Sequence, residues 1–314
     1  MNKLLLYIAA AALLVSCNAL SPDPGPSDEV RLCASIVSEV AVTKTAATAC
    51  AYTAGVPTSD NPLEADVWFS TTSGSYPGTK TNDYDVHTTI SYTSSAYVKP
   101  SDTVTYPASG NLYCIGLYPR GDWVVADNGT KAELGSGAGI NGSTDYMFAP
   151  QIEGTSDSHF PPQTFNHIQT WLKIRIHAKS NDAGNSWGKI RKITVESPGR
   201  PSIDLATGAV TYSTDAEDLV EITAYENEEP GLSLTTESAE VSSVFIGALA
   251  SSECLNFKIW ADEYLKTVSV TLDKNGSTEG KLYVVTLSFA ALGIIEGTAT
   301  VSAWEDESQD LTGV

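Results

Sequence analysis

The chain has 314 residues and a formal net charge of -20 at pH 7, with 18% charged residues against the ~25% of ordinary soluble domains. So acidic a chain, with no Lys/Arg cluster, excludes nucleic acid as a partner and keeps the protein off anionic lipid heads except through an anchor. At roughly 150 residues per domain, the length suits two domains behind a leader.

Lys3 supplies a basic start, and Leu4 to Val15 are apolar. That run is far short of the ~20 residues a spanning helix needs. It ends in Leu14-Val15-Ser16-Cys17, a small residue before a cysteine. The pattern predicts a signal peptide over 1–16, cut so that Cys17 becomes the lipidated N-terminus. Acyl chains, at ~0.8 kcal/mol per buried methylene, would then be the sole membrane contact. Loss of Lys3 shifts the charge from -20 to -21. Residues 17–30, rich in Pro, Gly, Ser and acid, read as a tether without a core.

Beyond the tether the period is two. Leu32, Ala34, Ile36, Val40 and Val42 share one face of a first strand. Ala65, Val67 and Phe69 alternate with Asp66, Trp68 and Ser70. Around Cys114 both parities are apolar, so that strand is buried on both faces. Further strands are predicted around Leu172-Ile174-Ile176, Leu255-Phe257-Ile259, Val268-Val270-Leu272, Tyr283-Val285-Leu287-Phe289 and Ala299-Val301-Ala303. No long helical period occurs; Asp215 to Glu221 suits one short helix. The Gly-rich region 127–143 reads as an exposed loop, and Asp273 to Gly276 as a hairpin turn between two strands. The loop over 154–163 divides the chain into β-domains at 31–163 and 164–314. The fold class is all-β, a pair of sandwiches.

Cys33, Cys50, Cys114 and Cys254 remain after Cys17. An even number in an oxidising compartment permits disulfides with three pairings, while Cys33 and Cys114, within strands, also suit small buried apolar groups. No cysteine or histidine spacing fits zinc. His167 and His177 flank one predicted strand on the same face, ~33 Å apart, too far to share a ligand. Gly135 to Gly142 lacks the Lys-Ser/Thr of a phosphate loop. The run from Asp273 lacks a glutamate at the twelfth position of a calcium loop, where Val284 stands. No nucleophile elbow occurs. The reading is non-enzymatic, without metal or cofactor.

Several stretches in this order resemble one family: Pro62 to Ser70, Tyr106 to Pro119, Asp145 to Ala149, Phe165 to Ile176 and Ala299 to Trp304, behind the lipobox. The chain resembles the fimbrillins, lipoprotein-derived subunits of type V pili in Gram-negative anaerobes. The resemblance implies two tandem β-sandwich domains of transthyretin-like, Greek-key type, display at the outer membrane in a fimbrium, and adhesion. It also implies assembly with other pilus subunits by strand exchange: a surface protease removes the first strand, and a neighbour's C-terminal strand fills the groove. Two basic residues suit that cut. Arg31 precedes the first strand and would leave it in place; Lys44 follows it and would free Leu32 to Thr43. The donor would be the strand carrying Ala299, Val301 and Ala303, because the tail beyond Trp304 is short and polar. That departure favours a tip or accessory subunit over a shaft subunit. Two other readings stand beside it. One is a surface glycan-binding lipoprotein, with Trp68, Trp123, Trp171, Trp187, Trp260 and Trp304 as platforms for a host or bacterial ligand. The other is a sandwich hydrolase with carboxylates ~5–9.5 Å apart.

Overall fold

The computed structural model describes residues 29–36 and 57–303, apart from positions 95, 127, 214, 252, 274 and 275. The first half holds β1 (Ala34–Ile36), β2 (Leu63–Ser70), β3 (Val86–Tyr92), β4 (Leu112–Tyr118), β5 (Trp123–Val125), β6 (Lys131–Leu134), β7 (Met147–Gly154) and β8 (Gln163–His167). Six of these make one sheet in the order β1-β8-β7-β4-β2-β3. β4 lies at its centre and is apolar in both parities, as the sequence predicts. Leu112 and Cys114 face one core while Ile115 and Leu117 face another. Gly116 is required on the first face, because a Cβ there would come within 2.6 Å of the Phe165 ring.

The second half holds β9 (Thr170–Ala178), α1 (Asn181–Trp187), β10 (Lys189–Pro198), β11 (Pro201–Asp204), β12 (Val210–Tyr212), β13 (Leu219–Glu226), β14 (Leu232–Ser233), β15 (Ala239–Ile246), β16 (Leu255–Ala261), β17 (Leu265–Val270), β18 (Lys281–Ala290) and β19 (Ile294–Ala303). A sheet β15-β9-β18-β19 packs against a sheet β13-β10-β16-β17. Leu172, Ile174 and Ile176 of β9 and Tyr283, Val285, Leu287 and Phe289 of β18 share a core with Ile193, Phe257 and Ile259. Helix α1 starts where the Ser180 side chain accepts from Ala183 N at 3.1 Å and ends at Gly188, whose φ is 69°. It buries Trp187 against Phe289, ring centroids 5.0 Å apart.

The molecule is thus all-β, two sandwiches in tandem, and the two are interlocked. The sheet that closes the first sandwich runs β12-β11-β6-β5, so a hairpin from the second half completes it. Ile203 of β11 pairs with Ala132 of β6. One core cluster runs from Trp68, Ile115 and Trp123 through Ile203 to Phe257 and Phe289. The division placed between residues 163 and 164 falls at the start of β8, which belongs to the first sheet.

Four local expectations are corrected. Residues 215–221 are not helical: a turn with Asp218 N on Asp215 O at 2.9 Å leads into β13. The 127–143 region contains β6, which pairs with β5 and β11. The turn at Asp273 and Gly276 joins no hairpin, because β17 pairs with β16 while β18 pairs with β9 and β19 in the opposite sheet. His167 and His177 belong to different strands, β8 and β9, of different sheets. At Asp273 and Gly276 the turn signal was sound and only the strands it was expected to join lay elsewhere.

Candidate functional site

The segment Glu29 to Ile36 crosses the open face of the first sheet. Val30 N donates to Val104 O at 2.8 Å, and Leu32 exchanges bonds with Val98 at 2.9 and 2.8 Å. Glu29 ion-pairs with Lys99. The chain then becomes β1, an edge strand running parallel to β8 with Ala34 opposite Gln163 and Ile36 opposite Phe165. Val30, Leu32, Cys33 and Ala34 are 0% exposed and Ile36 5%. Each of Val30, Leu32 and Ile36 contributes about 1.5–3 kcal/mol through that burial. Leu32, Ala34 and Ile36 share one core with Leu63, Ile90, Tyr92 and Phe165, as the alternation predicts. Val40 and Val42 lie outside the described residues.

A small polar network sits beneath this strand. Tyr92 donates its hydroxyl to Gln163 Oε1 at 2.6 Å, and Gln163 Nε2 donates to Cys114 Sγ at 3.4 Å. Gln163 N donates to Cys33 O at 2.8 Å, so one buried glutamine ties the first strand to two others. Burial pushes the Cys114 thiol well above its ordinary range, with the Gln163 bond opposing. The Tyr92 phenol is raised likewise, by burial first and then by the neighbouring Cys114 and Cys33. Both groups therefore stay neutral, and Cys114 is a poor nucleophile. Cys33 and Cys114 are buried thiols and Cys254 an exposed one; Cys50 lies outside the described residues. Nothing in the sequence marked Gln163 or Tyr92, since a polar side chain inside a strand looks solvent-facing until its partners are known.

Arg31 lies between two fully buried neighbours, and its Nε is enclosed without a hydrogen-bond partner among the described residues. Cys17 and Lys44 lie outside the described residues. At the other end, β19 pairs with β18 over ten residues, from Lys281–Ala303 to Ala290–Ile294. Ala299 sits half-buried against the core, and Val301 is 53% exposed. The proposed donor strand is thus an edge of the second sandwich, next to a neighbour so close that a Cβ on Gly297 would collide with the Val270 side chain.

Among the described residues the tryptophans do not form platforms. Trp68, Trp123, Trp171 and Trp187 are 0–6% exposed. Trp260 is half-buried between Lys192 and Lys258, whose Nζ atoms stand 5.8 and 5.5 Å from its ring; Trp304 lies outside the described residues. The buried carboxylates Asp66 and Asp145 are engaged by His87 at 3.1 Å and His167 at 2.9 Å, and Asp66 also accepts from Gly121 N at 2.6 Å. Among the described residues no cluster suits a metal ion, and no helix is long and apolar enough to cross a membrane.

A family model described as fimbrillin-like matches residues 57–304. Among solved structures, a protein provisionally described as a cell adhesion protein from Bacteroides uniformis superposes with a TM-score of 0.55 at 14% identity, covering 90% of this chain and 100% of that one. A similarly described protein from Bacteroides ovatus gives 0.54 at 13%, covering 88% and 97%. One provisionally described as an adhesin, from Bacteroides thetaiotaomicron, gives 0.52 at 6%, covering 90% and 98%. At these identities the likeness is one of fold. No curated protein matches by sequence.

Proposed function

The chain belongs to the fimbrillin-like family, and on that premise we propose that it is a tip or accessory subunit of a cell-surface pilus, assembled by exchange of its first strand. It is exported as a lipoprotein through Cys17 and held at the outer membrane by that anchor alone. One observation carries the reading. Residues 29–36 lie at one edge of the first sandwich, with Val30, Leu32, Ala34 and Ile36 in its core and backbone paired to β8, Val98 and Val104. Withdrawal would leave an apolar groove flanked by the unpaired edge of β8, the kind of surface a neighbour's strand fills.

The same geometry supports Lys44 over Arg31 as the processing point. A protease must draw several residues into extended form. Around Arg31 that would mean extracting Val30 and Leu32 from the core and breaking their bonds to Val104 and Val98. The accessory position is supported by β19, whose ten pairs with β18 keep it within its own sheet.

The test is the N-terminus and mass of the protein recovered from sheared surface material. A start at Thr45, with Leu32 to Thr43 missing, is expected for an exchanging subunit. A start at Leu32 would place the cut at Arg31 and overturn loss of the first strand. Lipidated Cys17 retained with the cells would make the chain an anchored protein, not a polymerised one.

A further inference from the structure

A polar cleft of about 400 Å³ opens on the outer side of the composite sheet. It is built from both halves of the chain: β6, β11, β12 and the turn that precedes β13. We propose that this cleft binds one or two residues of a neutral saccharide, making it a glycan subsite separate from the strand groove. The proposal goes beyond pilus assembly and does not depend on it.

The charge arrangement argues for a neutral ligand. Lys131 faces Glu133 at 2.6 Å and Arg200 faces Asp218 at 3.0 Å, and all four line the cleft. Each cation already has its carboxylate, so an anion entering would meet Glu133 and Asp218, and a cation would meet Lys131 and Arg200. A hydroxyl both donates and accepts, and can bridge the two members of such a pair. Ser202 and Thr211 add hydroxyls from paired positions on β11 and β12. Leu134 and Tyr212 border the cleft from positions whose side chains pack against the core. The volume lies at the small end of ligand sites, which range over about 300–1,000 Å³.

The site is rigid. Tyr212 donates its hydroxyl to Ile168 O, and its ring lies so close to Gly247 that a Cβ there would be 2.8 Å away. Asp218 is brought beside Arg200 because Gly199 N donates to Asp218 O at 2.9 Å. A Cβ on Gly199 would lie 2.6 Å from that oxygen. Ser213 N donates to Arg200 O at 3.2 Å and fixes the opposite rim. A preformed cleft gives up little ordering entropy on binding.

The experiment is saturation-transfer NMR on the intact protein with the methyl glycosides of glucose, galactose, mannose and N-acetylglucosamine, followed by titration of those that bind. N-acetylneuraminate serves as the anionic probe. At least one neutral glycoside is expected to bind. Thr211→Trp, which fills the cleft, should abolish binding, and Arg200→Ala should weaken it by roughly tenfold or more. Trp260→Ala should leave it unchanged, and thermal unfolding of each variant verifies folding. Silence toward all four glycosides would overturn the proposal, as would binding that survives Thr211→Trp or a preference for N-acetylneuraminate.

Discussion

The two terminal segments of the described chain are held in opposite ways. Residues 29–36 contribute a strand of three residues, yet Val30, Leu32, Cys33, Ala34 and Ile36 are nearly or wholly enclosed. β19 is paired at ten consecutive positions, yet Ile294 and Val301 are 52% and 53% exposed. The first is held by side chains and the second by backbone. A backbone hydrogen bond contributes about 0.5–1.5 kcal/mol net because water replaces it, whereas an enclosed aliphatic side chain contributes about 1.5–3. Under the proposed exchange, an incoming strand would have to match the first segment in its side chains. Along β19 the core-facing parity reads Ile295, Gly297, Ala299, Val301; in the first segment it reads Val30, Leu32, Ala34, Ile36. Laid parallel, β19 puts Gly297 at the Leu32 position; laid antiparallel, it puts Ala299 there. Either way the deepest pocket is underfilled. Under the proposed exchange, and in this register, a second copy of this chain would therefore underfill that pocket.

The largest expected effect tests the side-chain half of the comparison. Leu32→Ala should destabilise the protein by about 2–5 kcal/mol in denaturant unfolding, the ordinary result of a cavity left in a packed core. A loss no larger than that of a surface substitution would mean that the segment merely rests on the sheet. Next comes Gln163→Leu, which removes the acceptor of the Tyr92 hydroxyl while sparing the backbone bond to Cys33. Leaving that hydroxyl unsatisfied should cost about 1–3 kcal/mol. The double variant with Tyr92→Phe should recover most of the loss, which a purely steric effect of the introduced side chain would not.

Much of this was legible from sequence because burial on one face writes itself as alternation. β4 was readable as a central strand from its two apolar parities, and β9 and β18 from one each. Leu32, Ala34 and Ile36 were placed on one face correctly. The partners were not legible. Nothing local shows that β1 runs parallel to β8, or that Pro201–Asp204 leaves the second sandwich to pair with Lys131–Leu134 of the first. Helix α1 spans seven residues, about two turns, too few for a helical period to stand out. The seat of the first segment was half readable, since its apolar ridge shows in the pattern while the Tyr92–Gln163–Cys114 network joins residues far apart in sequence. The polar cleft was unreadable because its walls come from three separated stretches.

The smallest expected effect tests the backbone half. Val301 lies on an edge strand with more than half of its surface in water, so Val301→Thr keeps the β-branched shape and the pairing with Tyr283 and alters an exposed methyl. Stability should change by no more than about 0.5 kcal/mol. Ala299→Thr, at a position whose side chain packs against the core, should cost more through overpacking. The pair of variants separates the enclosed from the exposed stretch of one face of β19 by denaturant unfolding. If Val301→Thr proved as harmful as Leu32→Ala, β19 would be held by its side chains after all, and the contrast between the two ends would collapse. If both β19 variants proved silent, the strand would be held by its ladder alone and could leave its sheet at little cost to the core, which would return it to contention as a donor.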